Sequence, residues 1–398
     1  MADILQPRSP YPAPSHPDGG KHISSQQPGV RLRHPGYPTT SNLLLLLAAL
    51  DSPDGGIHHE TVRISCAIVA GNRWDGFLSE SRDGQAVQVP ADGILHGDDY
   101  FFRVPGDDKY PVVPSFSHWS FPHGKLPPSW VRCAPPLTAS DRALPRTASL
   151  TDATLVRDVS CRITNHIEGT EHAHLVPRGE AAWFRQNSMF QYASPPRPGT
   201  DPLDDSRNAL LLRSDVHTLF DQRRFVFVPK SSVFVVHILP PGSSSELAAM
   251  YHNVQLQPLA AVAVEFLLAR FAWAIFTQLE SFVSQGVSRQ VVVDAGDGSI
   301  QAKEWSGQRC MNALSTPKSR SQSPKKRPRD EAPPQEENDK LDDEEAARGR
   351  KRHRSFNLKL AQKAERRSRS VSDSSLTDFG SNSSNNGNNL EASLIHGL

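Results

Sequence analysis

The chain has 398 residues, 33 of them proline, with a formal net charge of +1 and a mean hydropathy of −0.49. That much proline and polarity fits one or two packed domains with unpacked flanks, and the near-zero charge gives no global electrostatic sign of a nucleic-acid partner. Four scattered cysteines (Cys66, Cys133, Cys161, Cys310) without a C-x-x-C pair argue against a disulfide framework and a four-cysteine zinc knuckle, and fit a reducing compartment.

Residues 1–40 hold eight prolines and few apolar side chains, so ordering them would not be offset by burial and disorder is expected. They lack the basic-then-apolar order of a secretory signal, so export is not expected. The apolar run 43–50 is far shorter than the roughly 20 residues of a membrane helix and reads as the core face of a short helix after Ser41 and Asn42. Residues 61–70 (TVRISCAIVA) alternate, with Val62, Ile64, Cys66 and Ile68 on one face, and predict a strand that ends at a Gly71-Asn72 turn. Strand-like pieces at 86–89 and 100–104 complete a small β-rich module over 41–132. Residues 105–150 are rich in Pro, Ser and Thr and read as loop, with the linker proper at 133–156.

The stretch 157–230 organises the rest. His174 stands before Leu175-Val176-Pro177, Asn208 opens an apolar run, and His217 follows after eight intervening residues, giving H-x-x-P and N-x8-H. Around them lie RD-x-x-C-R-x-T from Arg157 and LR-x-D-x-H-x-L-F-D from Leu212. In order and spacing these pieces resemble the HNH nuclease motif, and more closely the HNH-domain proteins common in filamentous fungi. The likeness extends more loosely to Gly71-Asn72-Arg73-Trp74-Asp75-Gly76-Phe77-Leu78 and to the RFAWAIF segment from Arg270.

The resemblance implies an α+β protein whose ββα-metal core, 157–240, holds one divalent ion against a scissile phosphate of DNA or RNA. It makes His174 the general base, Asn208 the residue orienting it, and His217 a metal ligand. An imidazole suits the base because it exchanges a proton near neutrality, while a metal stabilises charge on the phosphate. Two departures stand out. The places of paired zinc cysteines read Cys161-x-x-Thr164 and Arg213-x-x-Val216, so no structural zinc is expected and Leu210, Leu211, Leu212, Leu219 and Phe220 must hold the finger by packing. The position directly before the base, acidic in many active members, is Ala173. Nearby substitutes are His172, on the strand face of His174, and Asp221, one helical turn past His217; an ion pair with Arg223 or Arg224 is the duller role for Asp221. With few protein oxygens the site suits Mn²⁺ or another transition metal better than Mg²⁺.

Residues 157–230 carry ten basic side chains against nine acidic ones, so any nucleic-acid face must come from placement. Arg178, Arg185, Arg207 and Arg213 flank the motif and are the candidates for phosphate contact. Runs at 224–228 and 233–239, separated by Pro229-Lys230-Ser231-Ser232, predict a hairpin closing the domain.

Residues 241–300 read as a helical extension dominated by the apolar segment 258–283. Glu265 and Arg270 sit within it, and a charge at a membrane centre costs about 2.5–3.5 kcal/mol, so a long buried helix is expected and no membrane span. Residues 316–398 are Ser, Pro and charge in blocks, a disordered tail with two basic clusters at 325–329 and 348–354 of the nuclear-import kind. The expected function is a nuclear, metal-dependent endonuclease, with an import receptor as a further partner. The alternative is an HNH-fold DNA-binding or scaffold protein of the nucleus whose site has decayed; tethering to a membrane through 258–283 is a third reading.

Overall fold

The structure, a computed structural model, describes residues 29–136, 149–195, 199–294 and 300–314, all within one compact unit, Met1–Pro324. The chain enters as β1 (Gly29–Arg33) and returns as β2 (Leu43–Ala48). The short strand β3 (Ile57–His58) leads into α1 (His59–Val69), followed by β4 (Phe77–Ser79), β5 (Ile94–Leu95) and β6 (Asp99–Arg103). A mixed sheet runs in the order β2-β1-β6-β4, with β1 antiparallel to β2 and parallel to β6.

Four expectations for this half are corrected. Of the 1–40 stretch expected to be disordered, residues 1–28 lie outside the described residues, and 29–40 are ordered, because β1 buries Val30 and Leu32 while Arg31 and Arg33 both bind Asp99 of β6, at 2.6 Å and 2.5 Å. Proline-rich composition hid five residues of strand. The short helix expected over 43–50 is β2, whose leucines are covered on both faces; pairing with β1 outweighs leucine's helical preference. Conversely, 61–70 is helical. Nine of the eleven α1 residues are buried, so the helix shows no polar stripe and its β-branched alternation misleads. His58 caps it by accepting from the Thr61 N–H, and Gly71 and Asn72, with φ of +76° and +65°, end it where the turn was expected. Residues 86–89 form no strand.

Residues 105–136 are more than loop. The 3-10 turn Phe116–His118 and α2 (Pro128–Arg132) bring Phe116, Trp119, Phe121 and Trp130 into the core, and Trp119 stacks on Trp183 with ring centroids 5.7 Å apart. Then come α3 (Leu150–Asp158), capped by Ser149, β7 (Thr170–His174), α4 (Ala181–Gln186), β8 (Ala209–Arg213) and α5 (Ser214–Asp221). The expected hairpin is β9 (Phe225–Lys230) with β10 (Val233–Ile238), closed by Ser231 and Ser232 at positive φ, as a two-residue turn between twisted strands demands.

Beyond it lie α6 (Ser245–Tyr251), α7 (Val264–Gln278), α8 (Glu280–Val283), the antiparallel pair β11 (Arg289–Asp294) and β12 (Ile300–Trp305), and α9 (Gly307–Leu314). The long helix expected over 258–283 is not formed: residues 258–263 are non-helical, and a separate short turn follows the 15 residues of α7. The helical extension expected over 241–300 also takes in β11, which bridges in parallel to Val112 far upstream. Among the described residues no helix is long and apolar enough to cross a membrane. Twelve of the α7 residues are buried, Arg270 among them, because α1, α2, β2 and β9 pack around it. The tail expected at 316–398 lies outside the described residues.

If α7 is the core's central strut, Leu268→Ala should lower the unfolding free energy in urea by about 2–5 kcal/mol. Val156→Ala, at a side chain 53 % exposed, should change it by less than about 0.5 kcal/mol. Equal effects would remove α7 from that role.

Candidate active site on the β7–β8–α5 finger

Strands β7 and β8 pair antiparallel, His174 opposite Ala209 and Ala173 opposite Leu210, and α5 begins directly after β8. Ala173, Leu210, Leu212, Val216 and Phe220 are fully buried and Leu219 packs against them, so apolar contact holds the helix on the hairpin. Leu211, also buried, points the other way from Leu210 and Leu212, as strand alternation requires.

This alternation divides the expected site residues between two faces. On the α3 side, His172 Nδ1 hydrogen-bonds Thr151 Oγ1 at 2.9 Å, and His174 Nε2–H donates to Asp204 Oδ1 at 3.0 Å. On the α5 side, His217 lies between two carboxylates: Nδ1 is 3.4 Å from Glu171 Oε1 and Nε2 is 3.3 Å from Asp221 Oδ2. His217 and Asp221 therefore come together as expected, whereas His172 faces α3 and is not part of their group. The rings of His172 and His174 lie 5.3 Å apart.

Asn208 is fully buried. Its Oδ1 accepts from Val176 N–H at 2.9 Å, and its Nδ2 donates to the carbonyls of Val176 and Leu203 at 3.1 and 2.9 Å. Its own carbonyl accepts from Leu175 N–H at 2.8 Å. It thus pins the loop that leaves β7 immediately after His174, and orients that histidine through the backbone.

Burial pushes the His174 imidazole down to about 4, against the upward pull of Asp204. Asp204 is itself gripped by Arg178, whose Nε and Nη2 donate to its two oxygens at 2.8 and 2.6 Å. With the proton held on Nε2, the Nδ1 lone pair is the basic one, and it has no hydrogen-bond partner among the described residues. At His217 burial opposes charge, but Asp221 and Glu171 together outweigh it and raise its pKa. Burial likewise opposes the Asp221 charge, and His217 and Arg270 hold its pKa below the ordinary value.

This side of the arrangement offers a divalent ion two donors, one nitrogen and one oxygen, once the proton between them is lost. His217 Nε2 and the Asp221 carboxylate form a nitrogen–oxygen pair that a proton now bridges, and Glu171 on Nδ1 supplies the outer carboxylate that commonly fixes a ligating imidazole. Glu171 escaped the sequence reading although alternation puts it on the strand face of Ala173; Asp204 left no sequence signal at all.

Of the arginines, Arg178 and Arg185 have side chains 68 % and 69 % exposed, beside Asp204 and Asp201. Arg213 is tied to Asp215 by two 2.6 Å contacts, and Arg207 is half-buried.

Away from the finger, Asp51, His237 and His252 bring their donor atoms within 4.8 Å of one another, a metal-ligand type of cluster. It already holds a cation. The Lys230 ammonium donates to Asp51 Oδ1, to His237 Nδ1 at 3.0 Å and to Asn253 Oδ1 at 2.7 Å, using its three protons. Ile238 N–H donates to His252 Nδ1, so the His252 proton sits on Nε2 and points at Asp51. A metal ion would need that proton removed and the lysine expelled, and these residues fit an ion-pair lock better than a metal.

Residues 161–228 match the family model described as HNH endonuclease. No curated protein and no solved structure gives a match.

Burial opposes the charge on Asp51, yet His252, His237 and Lys230 override it and hold the carboxyl well below the usual range. A depressed carboxyl contributes stability above its unfolded value near 3.8, which is lost as pH falls further. Asp51→Asn should therefore destabilise the protein by about 3–5 kcal/mol at neutral pH and flatten the acid limb of its stability curve, read by urea denaturation at several pH values. An unchanged midpoint at pH 7 would contradict the lock.

Proposed function

We propose that this protein is a metal-dependent endonuclease that hydrolyses phosphodiester bonds of nucleic acid through the β7–β8–α5 finger. The observation that carries this reading is the coincidence, within the matched residues 161–228, of an Asp-tethered histidine at the end of β7 with a histidine–carboxylate pair on α5. His174 is the general base: Asp204 fixes its Nε2–H, Asn208 fixes its backbone, and Nδ1 takes the proton of the attacking water. His217 and Asp221 would hold the divalent ion, which when bound stabilises charge developing on the phosphate and the leaving oxygen. Glu171 positions His217. Arg178 and Arg185 are the arginines best placed for the phosphodiester backbone. Two donors from the chain leave the rest of the ion's shell to water and substrate, which favours Mn²⁺, Co²⁺, Ni²⁺ or Zn²⁺ over Mg²⁺.

A second reading, an HNH-fold protein that binds nucleic acid without cutting it, draws on Ala173, which is fully buried where an acidic ligand is expected. In either case the proposed location is the nucleus, supported by the basic clusters at 325–329 and 348–354, with an import receptor as the partner. A reporter fused to residues 316–360 should accumulate in nuclei; even distribution would refute this.

Plasmid nicking by the purified protein across several divalent metals separates the two functional readings. His174→Ala should abolish nicking and leave metal affinity by calorimetry nearly intact, whereas His217→Ala should lose both. Nicking by His174→Ala at the wild-type rate would remove the catalytic assignment.

Because His174 takes its proton only near pH 4, the acid limb of the rate profile should lie well below the ordinary histidine value of 6.5. Asp204 pulls that pKa upward, so Asp204→Asn should move the limb to still lower pH. A limb at 6.5 in the wild type would place the working base elsewhere.

A further inference from the structure

The finger's two halves meet at a side chain that belongs to neither. Arg270 lies on α7, 42 residues beyond the end of the matched segment at 228, and is 1 % exposed. Its guanidinium sits 3.6 Å over the Phe220 ring and 4.6 Å from the Trp273 ring centroid. Nη2 donates to the Phe220 carbonyl in the last turn of α5 and lies 3.6 Å from Asp221 Oδ1; Nη1 donates to the His174 carbonyl at 3.5 Å. Trp273 is held in turn by an indole N–H bond to Glu180 Oε1 at 2.8 Å, and its ring carries the Arg223 guanidinium at 3.6 Å.

We propose that Arg270 is a positioning residue of the nuclease site, joining the His174 end of β7 to the His217–Asp221 end of α5; the proposal rests on the endonuclease reading above. Three acceptors from two separate elements converge on one planar group, a task for a guanidinium fork and not for the point charge of a lysine. The Phe220 carbonyl lies in the last turn at the negative end of α5, where a cation is favourable, and accepts the guanidinium in addition to Arg223 N–H at 2.9 Å. Through it the guanidinium sets where α5 ends. Through the His174 carbonyl it sets where β7 ends, and contact with Asp221 aims the carboxylate beside His217 Nε2. The separation of base and metal ligands is thereby fixed by α7, and the family segment alone is an incomplete site. A misplacement of about 1 Å is enough to slow catalysis on the order of 100-fold.

The test compares full-length wild type, Arg270→Lys and Trp273→Phe. Its readouts are Mn²⁺ affinity by calorimetry, kcat and KM for cleavage of a fluorescent DNA duplex, and thermal unfolding. Arg270→Lys is expected to fold, to lose roughly 10- to 100-fold in kcat with KM within about threefold, and to bind Mn²⁺ more weakly. A folded Arg270→Lys protein with wild-type kcat and Mn²⁺ affinity would overturn the proposal. Should Arg270→Lys fail to fold, Trp273→Phe decides: it removes part of the clamp while keeping an aromatic ring, and an unchanged kcat would overturn the proposal while a reduced kcat at constant KM would support it. If wild type cleaves nothing with any metal, the endonuclease reading fails. Mn²⁺ affinity then decides the positioning role alone, weakened binding in the folded variant supporting it and equal binding sinking it.

Discussion

The finger depends on the ion pair of Arg157 and Asp158 at the end of α3. Asp158 is buried and accepts from Leu211 N–H at 2.8 Å, while Arg157 binds it at 2.7 Å and donates to the carbonyls of Ser206 and Ala209 at 2.5 and 2.6 Å. These contacts seize the backbone of β8 and the turn before it, which fixes the register of β8 against β7. A slip of one residue would turn Glu171 and Ala173 away from α5 and His172 and His174 toward it, because strand side chains alternate. Every functional geometry described above follows from that register: His174 beside Asp204, Glu171 beside His217, and Asn208 under the loop between them.

Buried cations recur as the device that joins distant segments. Lys230 ties Asp51 to the β9–β10 hairpin, Arg162 donates to the Asp158 and Pro258 carbonyls, and Arg289 lies against Phe282 while donating to its carbonyl. Burial lowers the Arg270 pKa to about 9 and that of Arg289 to about 10, yet both stay charged at neutral pH. A buried charge is destabilising unless it is surrounded by acceptors. For Lys230 the acceptors are side chains, while Arg162, Arg270 and Arg289 each donate to one carbonyl at a helix end, Asp158, Phe220 and Phe282 in turn, so each arginine also caps a helix. In a chain whose core strands and helices are short, such contacts define geometry that long elements would otherwise provide.

How far the sequence was legible follows from the same facts. The finger was readable because its signals are local: His and Asn residues at fixed spacing, an apolar run opened by Asn208, and the flanking pieces from Arg157 and Leu212. The β9–β10 hairpin was readable for the same reason. What failed depends on burial from all sides. A helix as enclosed as α1 has no polar stripe to reveal its 3.6-residue period, and β2 looks helical until β1 is placed beside it. In the site, Asp221 was found one turn after His217. His172, placed by strand alternation on the face of His174, does lie there, but α5 covers the other face of the hairpin and carries His217 and Asp221 away from it. Arg270 was noticed only as a charge that a lipid bilayer would reject; its partners lie 49 and 50 positions away in sequence, at Asp221 and Phe220, and no local pattern points to them.

The lock between Asp51 and Lys230 spans 179 residues, and the β11 bridge to Val112 spans about as many. Such separations have a consequence for synthesis. A ribosome emits the chain from one end at roughly 5–20 residues per second, so β1, β2 and α1 emerge many seconds before the segments that complete them. In that interval the edge of β2 and the apolar sides of α1 have nothing of their own chain to cover them. The fold has a high proportion of distant contacts and is expected to close late and slowly, with β9, α7 and β11 arriving as the lid on a half-built core.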